Sequence, residues 1–84
     1  MAKTITIYTS NTCGQCKMVK QVLKMKGHNY REVNIDTEPH RHAEIMQLTG
    51  QQLVPVTVIE DDQTGLQKVI TGYNLSQLMP AIAA

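Results

Sequence analysis

Two cysteines three positions apart, in Cys13-Gly14-Gln15-Cys16, are the residues of this 84-residue chain best suited to chemistry. A thiolate attacks disulfides and binds soft metal ions, so such a pair can serve dithiol exchange, metal ligation or a local crosslink. Position separates these roles. Lys3 to Tyr8 alternates polar and β-branched residues, with Ile5 and Ile7 on one face, and reads as a strand. Thr9-Ser10-Asn11-Thr12 follows as a loop. From Gln15 to about Lys26, Val19, Val22 and Leu23 recur at helical spacing beside Lys17, Lys20 and Lys24, and Gly27 supplies a stop. The pair therefore stands where a strand hands over to a helix, facing unpaired N–H groups and the positive end of the helix dipole. That setting lowers the pKa of Cys13 below the free value of about 8.5 and makes it the candidate nucleophile. Cys16, about 4.5 Å further along the axis on nearly the same face, is the candidate resolving thiol. Gly14 lets the backbone approach closely and Gln15 reads as a neutral spacer. Lys17 reads as a solvated charge.

The elements that must hold this junction follow in order. Tyr30 to Ile35 suggests a second strand, and Asp36-Thr37-Glu38-Pro39 carries the signals of a helix start ahead of Ala43, Ile45, Met46 and Leu48, with Gly50 ending that helix. Val56 to Glu60 and Gln67 to Thr71 read as strands joined by the turn formers Asp61-Asp62-Gln63-Thr64-Gly65. Leu75 to about Ala83 forms a last helix with Asn74 as its cap and Pro80 inside it. The predicted order is strand-helix-strand-helix-strand-strand-helix, an α/β domain spanning residues 1–84. Its first strand-helix-strand unit is a right-handed parallel crossover and its hairpin is antiparallel, which requires a four-stranded mixed sheet with helices on both faces.

Composition narrows the partners. A net charge of +1, with 42% hydrophobic and 18% charged residues, fits an ordinary globular domain and gives no footprint for nucleic acid or an anionic membrane. The segment Met1 to Ile7 has neither the apolar run nor the cleavage site of a signal peptide, so a soluble, cytoplasmic monomer is expected. A reducing compartment disfavours structural disulfides, which moves the cysteines towards catalysis or metal binding.

Beyond the cysteines, the chain resembles the glutaredoxins and, in its details, the NrdH-type redoxins, both of thioredoxin-like fold. The resemblance is carried by Ile7-Tyr8-Thr9-Ser10-Asn11-Thr12-Cys13-Gly14-Gln15-Cys16, by Val33-Asn34-Ile35-Asp36, by Thr49-Gly50-Gln51-Gln52-Leu53-Val54-Pro55 and by Gly72-Tyr73. It implies a cis Val54-Pro55 peptide facing the cysteines, with the Val54 backbone offering strand-like hydrogen bonds to a bound partner. Thr71, Gly72, Tyr73 and Asn74 would line the other side of a substrate groove, completed by Thr12, Gly14, Gln15 and Leu53. It also implies no bound cofactor, with electrons entering from thioredoxin reductase and NADPH or from glutathione. They would leave to a disulfide-bearing protein, for NrdH-type redoxins ribonucleotide reductase. Glutaredoxins usually place Pro and Tyr between the cysteines, Thr before the Val-Pro pair, and an acidic pair after two glycines to engage the glutathione amino group. Here Gly14-Gln15, Leu53 and Thr71-Gly72-Tyr73-Asn74-Leu75 stand in those places. Asn74 and Leu75 offer no carboxylate to an ammonium group, which favours the NrdH-type reading.

Metal binding is the competing class. Asn11-Thr12-Cys13-Gly14-Gln15-Cys16 resembles the loop of heavy-metal-associated domains, but that family has Met where Asn11 stands, and the helix expected from Thr37 to Gly50 fits its element order poorly. His28, His40 and His42 lack zinc-finger spacing and read as solvated. Met18, Met25 and Met46 read as packing residues, and Glu60-Asp61-Asp62 as a solvated turn rather than a calcium site.

Overall fold

The computed structural model describes residues 3–83, apart from the Ala83 side chain. Strand β1 runs from Lys3 to Thr9, helix α1 from Gly14 to Met25 and strand β2 from Arg31 to Asn34. A 3₁₀ turn, Pro39–Arg41, leads into α2, His42–Thr49, and β3 (Val56–Asp61), β4 (Gln67–Thr71) and α3 (Leu75–Ala83) complete the chain. The sheet order is β2-β1-β3-β4. β1 pairs parallel with β2 and antiparallel with β3, and β3 pairs antiparallel with β4.

Strand side chains alternate between faces, so register decides what meets what. Ile5 lies opposite Ile59, and Thr57 lies between Ile7 and Ile70. These residues share one face, where Val19 and Leu23 of α1 and Leu78, Ala81 and Ile82 of α3 bury against Ile5, Ile7, Ile59 and Ile70. The opposite face carries Tyr8, Val33, Val56 and Val58, closed by Ile45 of α2. Two helices thus cover one face and one covers the other. Cys16, Val19 and Leu23 are the buried residues of α1, and their spacing is the apolar stripe that aims this helix at the sheet.

Helix α1 ends as its glycine requires. Gly27 takes φ 75°, its N–H donates to the Lys24 carbonyl and the His28 N–H to the Leu23 carbonyl, a Schellman closure that fixes the exit towards β2. In α3, Pro80 removes one N–H yet the helix continues, and Lys3 Nζ donates to the Ala81 carbonyl at 3.1 Å.

Two boundaries differ from the sequence reading. β2 is confined to Arg31–Asn34, and α2 begins at His42 after the 3₁₀ turn rather than near Thr37. The cause is Asn34. Its Oδ1 accepts from the Asp36 N–H at 2.9 Å, and its carbonyl accepts from the Thr37 hydroxyl at 3.0 Å and from the Glu38 N–H at 2.9 Å. The polar residues read as a helix start therefore build a turn closing β2.

Candidate functional site

The junction between β1 and α1 is built by hydrogen bonds from outside it. Asn11 N–H donates to Asp36 Oδ2 at 2.7 Å, and Asn34 Nδ2 donates to Asn11 Oδ1 at 2.8 Å. The loop ahead of the cysteines is thereby tied to the turn after β2. From the other side, the buried Thr9 hydroxyl donates to Glu32 Oε2 at 2.8 Å, and Lys20 Nζ reaches the same oxygen at 3.0 Å. Burial alone would raise the Glu32 pKa, but hydrogen bonds from Thr9 and Lys20 and the charges of Lys20 and Lys24 outweigh it and hold the carboxyl below its ordinary value. This carboxylate links α1 to both parallel strands.

Cys13 is the N-cap of α1 with extended backbone, and its Sγ accepts from the Cys16 N–H at 3.0 Å. Sulfur here takes the place usually filled by a capping oxygen. Cys13 and Cys16 form a disulfide with Cα atoms 5.3 Å apart. The two differ in access: Cys13 is half-buried, whereas Cys16 is only 1% exposed. Thr12, Gly14 and Gln15 are exposed around them.

The Val54-Pro55 peptide is cis, and Pro55 is buried. Its carbonyl accepts from the Gly72 N–H at 2.8 Å. Gly72 has φ 72°, a left-handed conformation that a side chain resists. The next residue completes the circuit, because the Tyr73 N–H donates to Gln15 Oε1 at 3.3 Å. Pro55, Gly72, Tyr73 and Gln15 thus connect the proline segment to the cysteine loop across the end of β4. Asn74 starts α3: its carbonyl accepts from Leu78 N–H at 2.9 Å, and its Oδ1 accepts from the Ser76 hydroxyl at 2.7 Å. Thr71 is exposed and pairs with Val56. The Leu53 and Val54 side chains pack against the second core cluster, on the α2 face, rather than joining this circuit.

Gln15 is the residue that sequence reasoning undervalued. Its amide is no inert spacer, and no local pattern could reveal a partner 58 positions away. The second missed feature lies under α2, where the Tyr8 hydroxyl donates to Glu44 Oε1 at 2.7 Å and Arg41 Nε donates to Glu44 Oε2 at 2.7 Å. The hydrogen bond from Arg41, then that from Tyr8, lowers the Glu44 pKa, while burial followed by the Glu44 bond raises that of Tyr8. Among the described residues, no three His, Cys, Asp or Glu side chains gather in a way that could hold a metal ion.

A family model described as Glutaredoxin matches residues 5–63, from β1 through the cysteines and the cis-proline into the β3–β4 turn. The chain belongs to the glutaredoxin family. A glutaredoxin of Neisseria meningitidis is 36% identical over 64 residues, covering 75% of each chain. The glutaredoxin-like protein NrdH of Escherichia coli K12 is 35% identical over 57 residues, covering 68% of this chain and 69% of NrdH. Among solved structures, the glutaredoxin of Archaeoglobus fulgidus superposes with a TM-score of 0.81 at 26% identity, over 95% of this chain and 86% of that one. The NrdH-redoxin of Escherichia coli gives 0.70 at 29% identity over 90% and 91%. This glutaredoxin-family chain therefore has the thioredoxin-like fold and is a redoxin carrying a Cys13–Cys16 pair, in a family of thiol-disulfide oxidoreductases.

Proposed function

We propose that this chain is a cytoplasmic dithiol carrier of the NrdH type that reduces protein disulfides by using Cys13 as nucleophile and Cys16 as resolving thiol. The observation that carries the reading is the asymmetry of the pair: Cys13 is accessible at the helix N-cap and Cys16 is 1% exposed behind it. In the reduced protein the Cys16 N–H and the α1 dipole would stabilise a Cys13 thiolate. That thiolate attacks one sulfur of the acceptor, forming a Cys13 mixed disulfide and expelling the other sulfur as thiolate. Cys16, deprotonated, then attacks Cys13 Sγ, closes the internal disulfide and releases the second acceptor thiolate. Two electrons pass to the acceptor, and a reductant must reopen the Cys13–Cys16 bond. No bound cofactor is needed.

We assign the groove to Thr12, Gly14 and Gln15 on the cysteine side, Pro55 with the backbone of Leu53 and Val54 on the proline side, and Thr71, Gly72, Tyr73 and Asn74 opposite. In the NrdH-type reading the reductant is thioredoxin reductase and ribonucleotide reductase is one acceptor. Two observations support this donor over glutathione. Asn74 and Leu75 are uncharged where an acidic pair would meet the glutathione ammonium, and the Escherichia coli NrdH-redoxin structure is described as having a thioredoxin-like activity profile. Following NADPH consumption with a model disulfide tests it. Turnover with thioredoxin reductase and little with glutathione plus glutathione reductase is expected; the reverse would overturn the donor assignment, and failure with both would overturn the redox reading.

A further inference from the structure

Gln15 stands between the two cysteines, yet its side chain serves another part of the chain. Its Oε1 accepts from the Tyr73 N–H at 3.3 Å, and a Cβ placed on Gly72 would lie 3.8 Å from the same oxygen. The carboxamide therefore lies over the Gly72–Tyr73 peptide, at the turn between β4 and α3. Two segments meet at this point, residues 12–16 and residues 71–75, and neither contains Lys, Arg, Asp or Glu. They can recognise a carboxylate only through N–H groups and uncharged side chains.

The N–H groups divide by partner. That of Cys13 donates to the Ser10 carbonyl, that of Cys16 to Cys13 Sγ and that of Gly72 to the Pro55 carbonyl. Those acceptors are fixed by the backbone or by the disulfide. The acceptor for Tyr73 is instead a long, exposed side chain, and its 3.3 Å separation lies beyond the usual range of about 2.7–3.2 Å. The donor is held in place, because Gly72 is bonded to Pro55 and Tyr73 packs against the first core cluster. A fixed donor beneath a movable acceptor makes an exchangeable hydrogen bond. A ligand that uses this N–H has to displace Gln15 first.

We infer that Gln15 is a specificity-determining residue, whose carboxamide occupies the Tyr73 N–H and so discriminates against small disulfides with a carboxylate on each arm. This rests on the redox reading above and adds a class of substrate that the site disfavours. A carboxylate would gain a charge-assisted hydrogen bond from an unoccupied Tyr73 N–H. With Gln15 in place, that gain is reduced by the bond that must be broken, and a small substrate has few other contacts to offset the loss. A protein disulfide that also contacts the proline side depends less on this one donor. An arm of a few carbons between sulfur and carboxylate is comparable in length to the Gln15 side chain, which already bridges the loop and the turn.

A pair of small disulfides, 3,3′-dithiodipropionate and the neutral bis(3-hydroxypropyl) disulfide, tests this because they differ only at the ends of their arms. Each form of the protein, reduced beforehand and freed of reductant, is mixed with each disulfide, and the second-order rate constants are compared as a ratio, carboxylate over neutral. A general change in Cys13 reactivity or in the packing of the loop alters both rates and leaves the ratio fixed. The ratio should rise about threefold or more, within what one hydrogen bond contributes, in Gln15→Ala and in Gln15→Asn, whose amide is too short to reach the turn. It should fall below the parent value in Gln15→Glu, which keeps the reach and adds a like charge. The side chain is exposed, so folding is retained. Suberate, the same chain as dithiodipropionate with methylenes for sulfurs, gives a reading without chemistry. Added to the oxidised proteins, it should move the Tyr73 amide resonance further in Gln15→Ala than in the parent at equal concentration. An unchanged ratio in Gln15→Ala or Gln15→Asn, a ratio raised by Gln15→Glu, or equal movement of the Tyr73 resonance would overturn the inference and leave the redox reading standing. No reaction of the reduced parent with either disulfide would overturn both together.

Discussion

At the scale of single residues, the site depends on atoms that do more than their residue type announces. Gly72 is one: its φ of 72° and its N–H to the Pro55 carbonyl at 2.8 Å hold the end of β4 against the proline segment. Gly72→Ala places a Cβ 3.8 Å from Gln15 Oε1, which is ordinary contact, so the penalty comes from backbone strain. We expect it to cost about 1–2 kcal/mol, measured by urea unfolding, and a neutral result would remove the strain argument. Thr57 is another. Its hydroxyl is buried without a hydrogen-bond partner among the described residues, so Thr57→Val, which keeps the shape and removes the orphan group, should stabilise the protein by about 1 kcal/mol. Lower stability in the same titration would show that the hydroxyl has a role in the fold. The placement of Cys13 and Cys16 was legible from the strand, loop and helix around them. Gln15 was not, because the Tyr73 N–H it accepts from is brought near only by the folded sheet.

Among the elements, periodic ones were readable and polar boundaries were not. The spacing of Val19, Val22 and Leu23 and the placing of Ile5 and Ile7 on one face of β1 each state which face turns inward; Val19, Leu23, Ile5 and Ile7 are buried, while Val22 is only partly so and Cys16 completes the buried stripe. Asp36, Thr37 and Pro39 carry equally valid signals for a turn or a helix start, and the Asn34 side chain decides for the turn. Leu23, fully buried between α1 and the sheet, tests the docking of the helix that carries the cysteines: Leu23→Ala should cost about 2–5 kcal/mol. Loss of well under 1 kcal/mol would mean the helix is held elsewhere. The α2 contact makes a pH prediction. Because the folded pKa of Glu44 lies below the ordinary 4.5, its contribution is present above that value and is lost as pH falls through the folded pKa. Glu44→Gln should therefore flatten the loss of stability below about pH 4.5, and an unchanged acid slope in thermal melts would contradict the linkage.

At the scale of the whole molecule, the fold separates three tasks. The mixed sheet fixes the junction from below, the Asn34–Asp36 turn and the Glu32–Lys20 pair brace it from the side, and the Pro55, Gly72 and Tyr73 segment is tied to it through the Gln15 side chain. Met18 and Met25 are exposed on α1, whereas Lys20 and Lys24 lie on its flank towards Glu32. The lysines were visible in the sequence, but exposure of Met18 and Met25 was not, since helical spacing places them at the edge of the apolar stripe without saying whether another element covers that edge. The central claim is the division of labour between the two cysteines. It is tested most directly by mixing reduced Cys13→Ser and Cys16→Ser with a peptide carrying one internal disulfide and reading intact masses. Cys16→Ser should accumulate a one-to-one mixed disulfide at Cys13, Cys13→Ser should form none, and the parent should pass to its internal disulfide without a persistent adduct. An adduct on Cys13→Ser formed as fast as on Cys16→Ser would contradict the account.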